Sequence, residues 1–304
     1  MGVTKSIEFL SQGVRCRGML LLPEAGEPPY PTVIMAGGWC YVKEIVMPHY
    51  APFFLETGLA VLMFDYRGFG ASEGFPRQHI DPWAQIEDYR NAMSYAQTVP
   101  ELDAQRMAVW GISYSGGHVL VLAAIDPRIR CVVSNIPVVD GYETLLRDHG
   151  ERQFTALQNL LYDDRQQRYR GEPSGQIPMS ALNPQNTLST WPFPDIYEGF
   201  AKIKHEEAPA HEHWSTIESV EMLLNYTVFP YVPRILNTPT LVIVAEGDDI
   251  TSWDLEIEAY RQITCDTKKL FVIPQTSHMK LYGSLSHLEL AAREASAWFD
   301  RYLL

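Results

Sequence analysis

The stretch Gly111-Ile112-Ser113-Tyr114-Ser115-Gly116-Gly117 limits what this chain can fold into more than any other. A buried-type apolar run at 106–110 enters it, and a helix-compatible run at 118–124 leaves it. A strand that turns at once into a helix through small residues lifts the serine at its tip above a sheet, within reach of a base. Glycine neighbours tolerate the strained angles such a turn needs. The next amide, that of Tyr114, then lies at a helix N-terminus, where its N–H and the helix dipole favour developing negative charge. The usual pattern has glycine in the fifth place. Here that place is Ser115, the smallest practical substitute, with two glycines directly after it. A plain strand-to-helix turn with an incidental serine has the same local pattern, so the rest of the chain decides.

The surrounding rhythm is that of a parallel sheet. Apolar runs at 31–36, 59–64, 106–110, 129–134, 239–245 and 269–273 alternate with helix-compatible stretches. Continuous apolar strands alternating with helices indicate a sheet covered on both faces. Two strand-like runs, 6–12 and 14–23, flank Gly13 as a hairpin. A helix at 50–57 is closed by Gly58. Asp81 before Pro82 reads as a helix N-cap with proline at the first helical position. Further helices are expected at 143–164, 217–224, 253–263 and 286–304. The rhythm stops between Val138 and Leu236 and then resumes. The expected organisation is a core of 1–137 and 237–304 and an inserted, largely helical cap of 138–236. Such a cap lies over the carboxyl edge of the sheet, where open α/β folds bind ligands.

A serine nucleophile needs a base, and the base needs an orienting acid. His278 follows the apolar run 269–273 in a loop before the last helix, where that base is expected. For the acid, Asp248 and Asp249 both follow the run 241–245. Asp248 is favoured, with Ile250 packing inward beside it, and Asp249 is the alternative. A second oxyanion donor is expected from the loop Gly37-Gly38-Trp39-Cys40, through the amide of Trp39 beside that of Tyr114. Gly38, Cys40, Trp191, Phe193 and Trp214 are the candidate pocket residues, because the aromatic-rich cap predicts an apolar pocket. Cys40 reads as lining, since no base is placed for it.

Other features carry less. His205, His211 and His213 with Glu206, Glu207 and Glu212 look metal-like, but read as a solvated helix face, so no metal is expected. The stretch Asp65-Tyr66-Arg67-Gly68-Phe69-Gly70 lacks the lysine of a phosphate loop; Asp65 and Arg67 read as holding loops at the sheet edge, and no cofactor is expected. The chain has 304 residues with a net charge of −13, which argues against nucleic acid and anionic membranes as partners. No apolar run approaches the ~20 residues of a membrane span. The four cysteines are scattered without C-x-x-C and read as reduced thiols, and the first residues lack the apolar core of a signal peptide. These point to a cytoplasmic protein. A homodimer is compatible with them.

Three segments, 33–44, 64–74 and 111–117, together with the ending His278-Met279-Lys280-Leu281-Tyr282, resemble the α/β-hydrolase superfamily over nearly the whole chain. The similarity is to a branch of uncharacterised bacterial hydrolases and fungal polyketide-transferase-like proteins. Relatives usually have His-Gly where this chain has Gly37-Gly38. The resemblance implies the α/β-hydrolase fold and a Ser113, Asp248, His278 triad. The expected activity is a serine hydrolase cleaving an ester or thioester of a moderately sized apolar acyl substrate through an acyl-Ser113 intermediate. The alternatives are a polyketide-type acyl transferase, a C–C bond hydrolase of diketones, and a catalytically silent ligand-binding hydrolase fold. Peptidase activity is less expected.

Overall fold

The computed structural model describes residues 2–283 and 285–304. The chain opens with β1 (Thr4–Ser11) and β2 (Val14–Leu21), paired antiparallel through a turn in which Gln12 and Gly13 both take positive φ. That turn geometry matches the right-handed twist of the two strands. β3 (Tyr30–Ala36), α1 (Met47–Leu55), β4 (Ala60–Phe64), α2 (Pro82–Ala96), β5 (Leu102–Ile112), α3 (Tyr114–Ile125) and β6 (Ile129–Asn135) follow as a βα succession. The intervening segment holds α4 (Gly141–Tyr169), β7 (Gln176–Pro178), α5 (Pro194–Glu206), β8 (Trp214–Thr216) and α6 (Ile217–Leu224). The βα rhythm resumes with β9 (Thr240–Ala245), α7 (Trp253–Gln262), β10 (Lys268–Ile273), α8 (Lys280–Gly283) and α9 (Leu285–Leu303).

Among the described residues the main sheet has eight strands in the order β1-β2-β4-β3-β5-β6-β9-β10. β2 runs antiparallel to both neighbours, and every pairing from β4 to β10 is parallel. Every residue of β4 and β9 is buried, as continuous apolar runs require when helices cover both faces. α1 packs on α9, joined by the edge-to-face pair Phe54 and Phe299 with ring centroids 5.1 Å apart. Each ring is fully buried, and such burial contributes roughly 1.5–3 kcal/mol per side chain. α2 packs on α3. Its start is fixed as the sequence suggests: Asp81 Oδ1 accepts from the amides of Trp83 (2.9 Å) and Ala84 (3.2 Å).

The loops at the sheet edge are held by buried carboxylates. Asp65 accepts from the backbone amide of Lys43 (2.6 Å) and that of Ala71 (3.0 Å), and pairs with the Lys43 ammonium (3.0 Å). Arg67 lies on Asp88 (2.6 Å) and reaches Ser11 (2.8 Å). The helix expected at 143–164 is longer and bent. It runs Gly141–Tyr169 and breaks its own dihedrals at Gly150 (φ 64, ψ 163), where glycine meets no steric penalty.

Candidate active site

Ser113 lies between β5 and α3 with φ 58 and ψ −120, a conformation forced on a non-glycine residue only where the surroundings over-determine it. Ser115 supplies part of that constraint. Its Oγ accepts from the amide of Ile112 (2.8 Å) and donates to the carbonyl of Ala36 (2.8 Å), tying the turn to the end of β3. The fifth residue of the motif therefore has a bonding role that glycine could not fill. Opposite Ser113 lies Gly38: a Cβ there would sit 3.1 Å from Ser113 Cβ and 3.2 Å from the Ile112 carbonyl, so any side chain would have to push the loop or Ser113 apart by a few tenths of an ångström. Trp39 follows directly, and its ring meets that of Tyr114 edge-on at 5.2 Å.

His278 and Asp248 come together from the loops after β10 and β9. His278 Nδ1–H donates to Asp248 Oδ2 at 2.6 Å, while Asp248 Oδ1 accepts from the amides of Ile250 (3.0 Å) and Thr251 (3.1 Å). Both side chains are buried, whereas Asp249 is exposed. Because Nδ1 carries the proton, Nε2 is left as the acceptor. Ser113 and His278 line one small cavity of about 20 Å³, room for about one water. Its apolar wall is Trp39, Tyr41, Met179, Trp191, Ile196, Phe200, Ile250 and Met279. Four of these, Met179, Trp191, Ile196 and Phe200, come from the segment between β6 and β9.

The pocket residues expected from sequence are spread more widely. Gly38 abuts Ser113, and Trp191 lines the cavity against Trp39 (6.0 Å between rings). Phe193 instead lines a wider cleft of about 410 Å³ that also reaches Asp248, Asp249 and Asp148. Trp214 presents its backbone carbonyl to the Cys40 thiol (3.3 Å). Cys40 is buried, and burial pushes its thiol well above the ordinary range, so it stays protonated. Of the three histidines read as a solvated helix face, only His205 is exposed on α5. His211 is fully buried and His213 half-buried, because the helix ends at Glu206 and the chain turns through Pro209 before β8.

Two residues near the triad candidates escape sequence reasoning. Tyr282 stacks on His278, and its hydroxyl donates to Nε2 at 3.3 Å while also interacting with Ser113. The spacing of four residues puts both side chains on one side of a helical turn, the one signal that could have found it. Asp148 of α4 has both carboxylate oxygens buried without a hydrogen-bond partner among the described residues. Burial, then the charges of Asp248 and Asp249, raises its carboxyl well above the usual range. The folded state thus holds its proton more tightly than the unfolded chain. That costs stability as pH climbs above the unfolded carboxylate value of about 3.9. Asp148→Asn is expected to stabilise the protein at pH 7, with the gain shrinking as pH falls through about 3.9 and gone by about pH 3. Paired denaturant titrations at the two pH values measure it, and an equal gain at both would contradict it.

A serine strained at a strand–helix turn, facing a histidine and acid carried on the last two strands of a mostly parallel sheet, marks an α/β-hydrolase. Residues 12–280 match the X-Pro dipeptidyl-peptidase family, S15, and the chain belongs to it. It is 29% identical over 286 residues to the thiohydrolase aneE of Aspergillus aculeatus, covering 91% of this chain and 87% of that protein. It is 34% identical over 197 residues to the quorum-quenching protein AidA of Acinetobacter baumannii, covering 65% and 64% of the two chains. The crystal structure of the α/β hydrolase GrgF from Penicillium sp. sh18 superposes with a TM-score of 0.81 at 22% identity, over 99% of each chain. The protein is an enzyme of the α/β-hydrolase superfamily. Among the described residues, no helix is long and apolar enough to cross a membrane.

Proposed function

We propose that the protein is a serine hydrolase that cleaves an ester or thioester of an apolar acyl substrate through an acyl-Ser113 intermediate. The observation that carries this reading is the 2.6 Å bond from His278 to Asp248 at the edge of the apolar cavity that Ser113 also lines. In the proposed reaction Ser113 Oγ attacks the carbonyl carbon as its proton passes to His278 Nε2. The Trp39 and Tyr114 amides take the charge on the carbonyl oxygen. The carbon–sulfur or carbon–oxygen bond then breaks, and His278 returns the proton to the leaving thiol or alcohol. Water, deprotonated by His278, releases the acid in the second half. Tyr282 must yield Nε2 to Ser113 for the first transfer. The segment 138–236 acts as the cap, its Met179, Trp191, Ile196 and Phe200 setting the apolar preference.

A fluorophosphonate is expected to label the wild type and not Ser113→Ala; an unlabelled wild type would sink the nucleophile assignment. A chain-length series of chromogenic esters and thioesters, with a diketone and an alanyl-prolyl anilide as further arms, then reads the substrate class. Preference for the anilide would favour the activity in the family's name over ester cleavage. A second reading, acyl transfer, draws support from the aromatic wall of the cavity beside Ser113. Products formed with and without an added alcohol separate the two.

A further inference from the structure

His211, His213 and Ser180 form a hydrogen-bonded chain that ends on the loop facing Ser113. His211 Nδ1 lies 3.0 Å from the Cys40 carbonyl, His211 Nε2 lies 3.2 Å from His213 Nδ1, and His213 Nε2 lies 2.7 Å from Ser180 Oγ. A carbonyl only accepts, so His211 must carry its proton on Nδ1 and accept on Nε2. His213 then donates from Nδ1 and accepts on Nε2 from the Ser180 hydroxyl. The chain therefore has one direction, from Ser180 to Cys40. Both rings are neutral at neutral pH. Burial lowers each to about 4, with the two rings opposing each other's charge at His211 and Lys204 opposing both. Their sides are packed by aromatic rings, Phe200 on His211 (5.3 Å) and Tyr197 on His213 (5.2 Å).

What this chain grips is strained. Cys40 has φ +60, the left-handed region where glycine is usual, at the third position of the turn Gly38–Trp39–Cys40–Tyr41. The turn closes where the Tyr41 amide donates to the Gly38 carbonyl (3.4 Å). The Cys40 carbonyl and the Tyr41 N–H belong to one peptide plane, and the Gly38 carbonyl and the Trp39 N–H belong to another. His211 thus fixes the first plane, and the turn's own bond fixes the second, which bears the Trp39 N–H. The Cys40 thiol gives a second anchor on the Trp214 carbonyl (3.3 Å). Each anchor comes from the segment between β6 and β9, not from the sheet.

We propose that His211 is a positioning residue: through His213 and Ser180 it forms a strap from the inserted segment that holds the Gly38–Tyr41 turn with the Trp39 N–H aimed at the oxyanion. The proposal rests on the oxyanion role given to Trp39 above. A donor pre-aimed at the transition state acts on kcat rather than on ground-state binding.

The test measures p-nitrophenyl butyrate turnover and the inhibition constant of a trifluoromethyl ketone, which mimics the tetrahedral state. His211→Leu is expected to lower kcat about 10- to 100-fold, with KM within about threefold and inhibitor affinity falling in step with kcat. His211→Asn, whose amide N–H can replace Nδ1–H, is expected to recover kcat to within about fivefold. Ser180→Ala, at the far end, is expected to cost less than about tenfold, again in kcat. Wild-type kcat in His211→Leu, a loss carried by KM alone, or a folded His211→Asn no better than His211→Leu would each overturn the strap. Should His211→Leu fail to fold, His213→Leu and Ser180→Ala carry the test, and wild-type kcat in both overturns it. Fluorophosphonate labelling keeps the two levels apart. A labelled wild type with an unaffected His211→Leu removes only the strap, whereas an unlabelled wild type removes the hydrolase reading beneath it.

Discussion

Asp248→Asn is expected to lower kcat by about 10³–10⁴-fold with little change in KM, while Asp249→Asn stays within about threefold of wild type. The two carboxylates are adjacent in sequence and equivalent in composition, yet their surroundings separate them. Asp248 is buried and has donors on both oxygens: His278 Nδ1–H on one, the Ile250 and Thr251 amides on the other. An asparagine there keeps the shape but can present an N–H to Nδ1. The imidazole would then flip its tautomer, leaving a proton on Nε2 where the base must accept one. Glu256, fully buried nearby, cannot substitute. Its Oε1 is engaged by the Thr251 hydroxyl (2.7 Å), and burial, then repulsion from Asp248, raises its carboxyl well above the usual range. Steady-state kinetics on a chromogenic ester decide the matter, and a larger loss at Asp249 would reverse the assignment.

Gly111→Ala is expected to destabilise the fold by about 3 kcal/mol, at the upper end of overpacking costs, and to abolish fluorophosphonate labelling. A Cβ at 111 would run into the Ser115 backbone carbonyl and come within 3.0 Å of the Gly116 amide nitrogen. Neither can retreat, because Ser115 is itself bonded to Ile112 and Ala36. The strand would have to part from the helix, and Ser113 would leave its strained position. Thermal unfolding should register a drop in Tm on the order of 5 °C or more. A shift under about 1 °C with labelling intact would show that the turn tolerates the methyl.

Much of the sheet was legible because its signals are local. Continuous apolar runs announce buried strands, Asp81-Pro82 announces the start of α2, and the strand–turn–helix around Ser113 needs no distant partner to be recognised. His278 and Asp248 could be ranked because the order of elements places them at strand ends. The inserted segment was harder to read. Its aromatic content predicts an apolar pocket, but whether Trp191, Phe193 or Trp214 faces Ser113 depends on packing across long sequence separations. His211 and His213 illustrate the same limit. In a helix, residues two apart point to different sides. The chain instead leaves α5 at Glu206 and turns through Pro209, and beyond that turn His211 meets the Cys40 carbonyl and His213 meets His211. Tyr282 and Asp148 were missed for a related reason: nothing in their immediate neighbours marks them, only what the fold brings alongside.

A resting cavity of about 20 Å³ beside Ser113 also has a kinetic meaning. An acyl group of several carbons exceeds that volume, so productive encounters are expected from the fraction of molecules in which the Trp191, Ile196 and Phe200 side chains have moved aside while the His211 and Trp214 anchors on Cys40 stay made. Apparent affinity is then the intrinsic affinity diluted by that fraction. Opening, rather than bond cleavage, becomes a candidate for the slow step. Substitutions that loosen Trp191 or Phe200 would be expected to speed capture of bulky esters while admitting more water to the acyl-enzyme. Chain-length preference and the partition between hydrolysis and transfer would then shift together, governed by one motion.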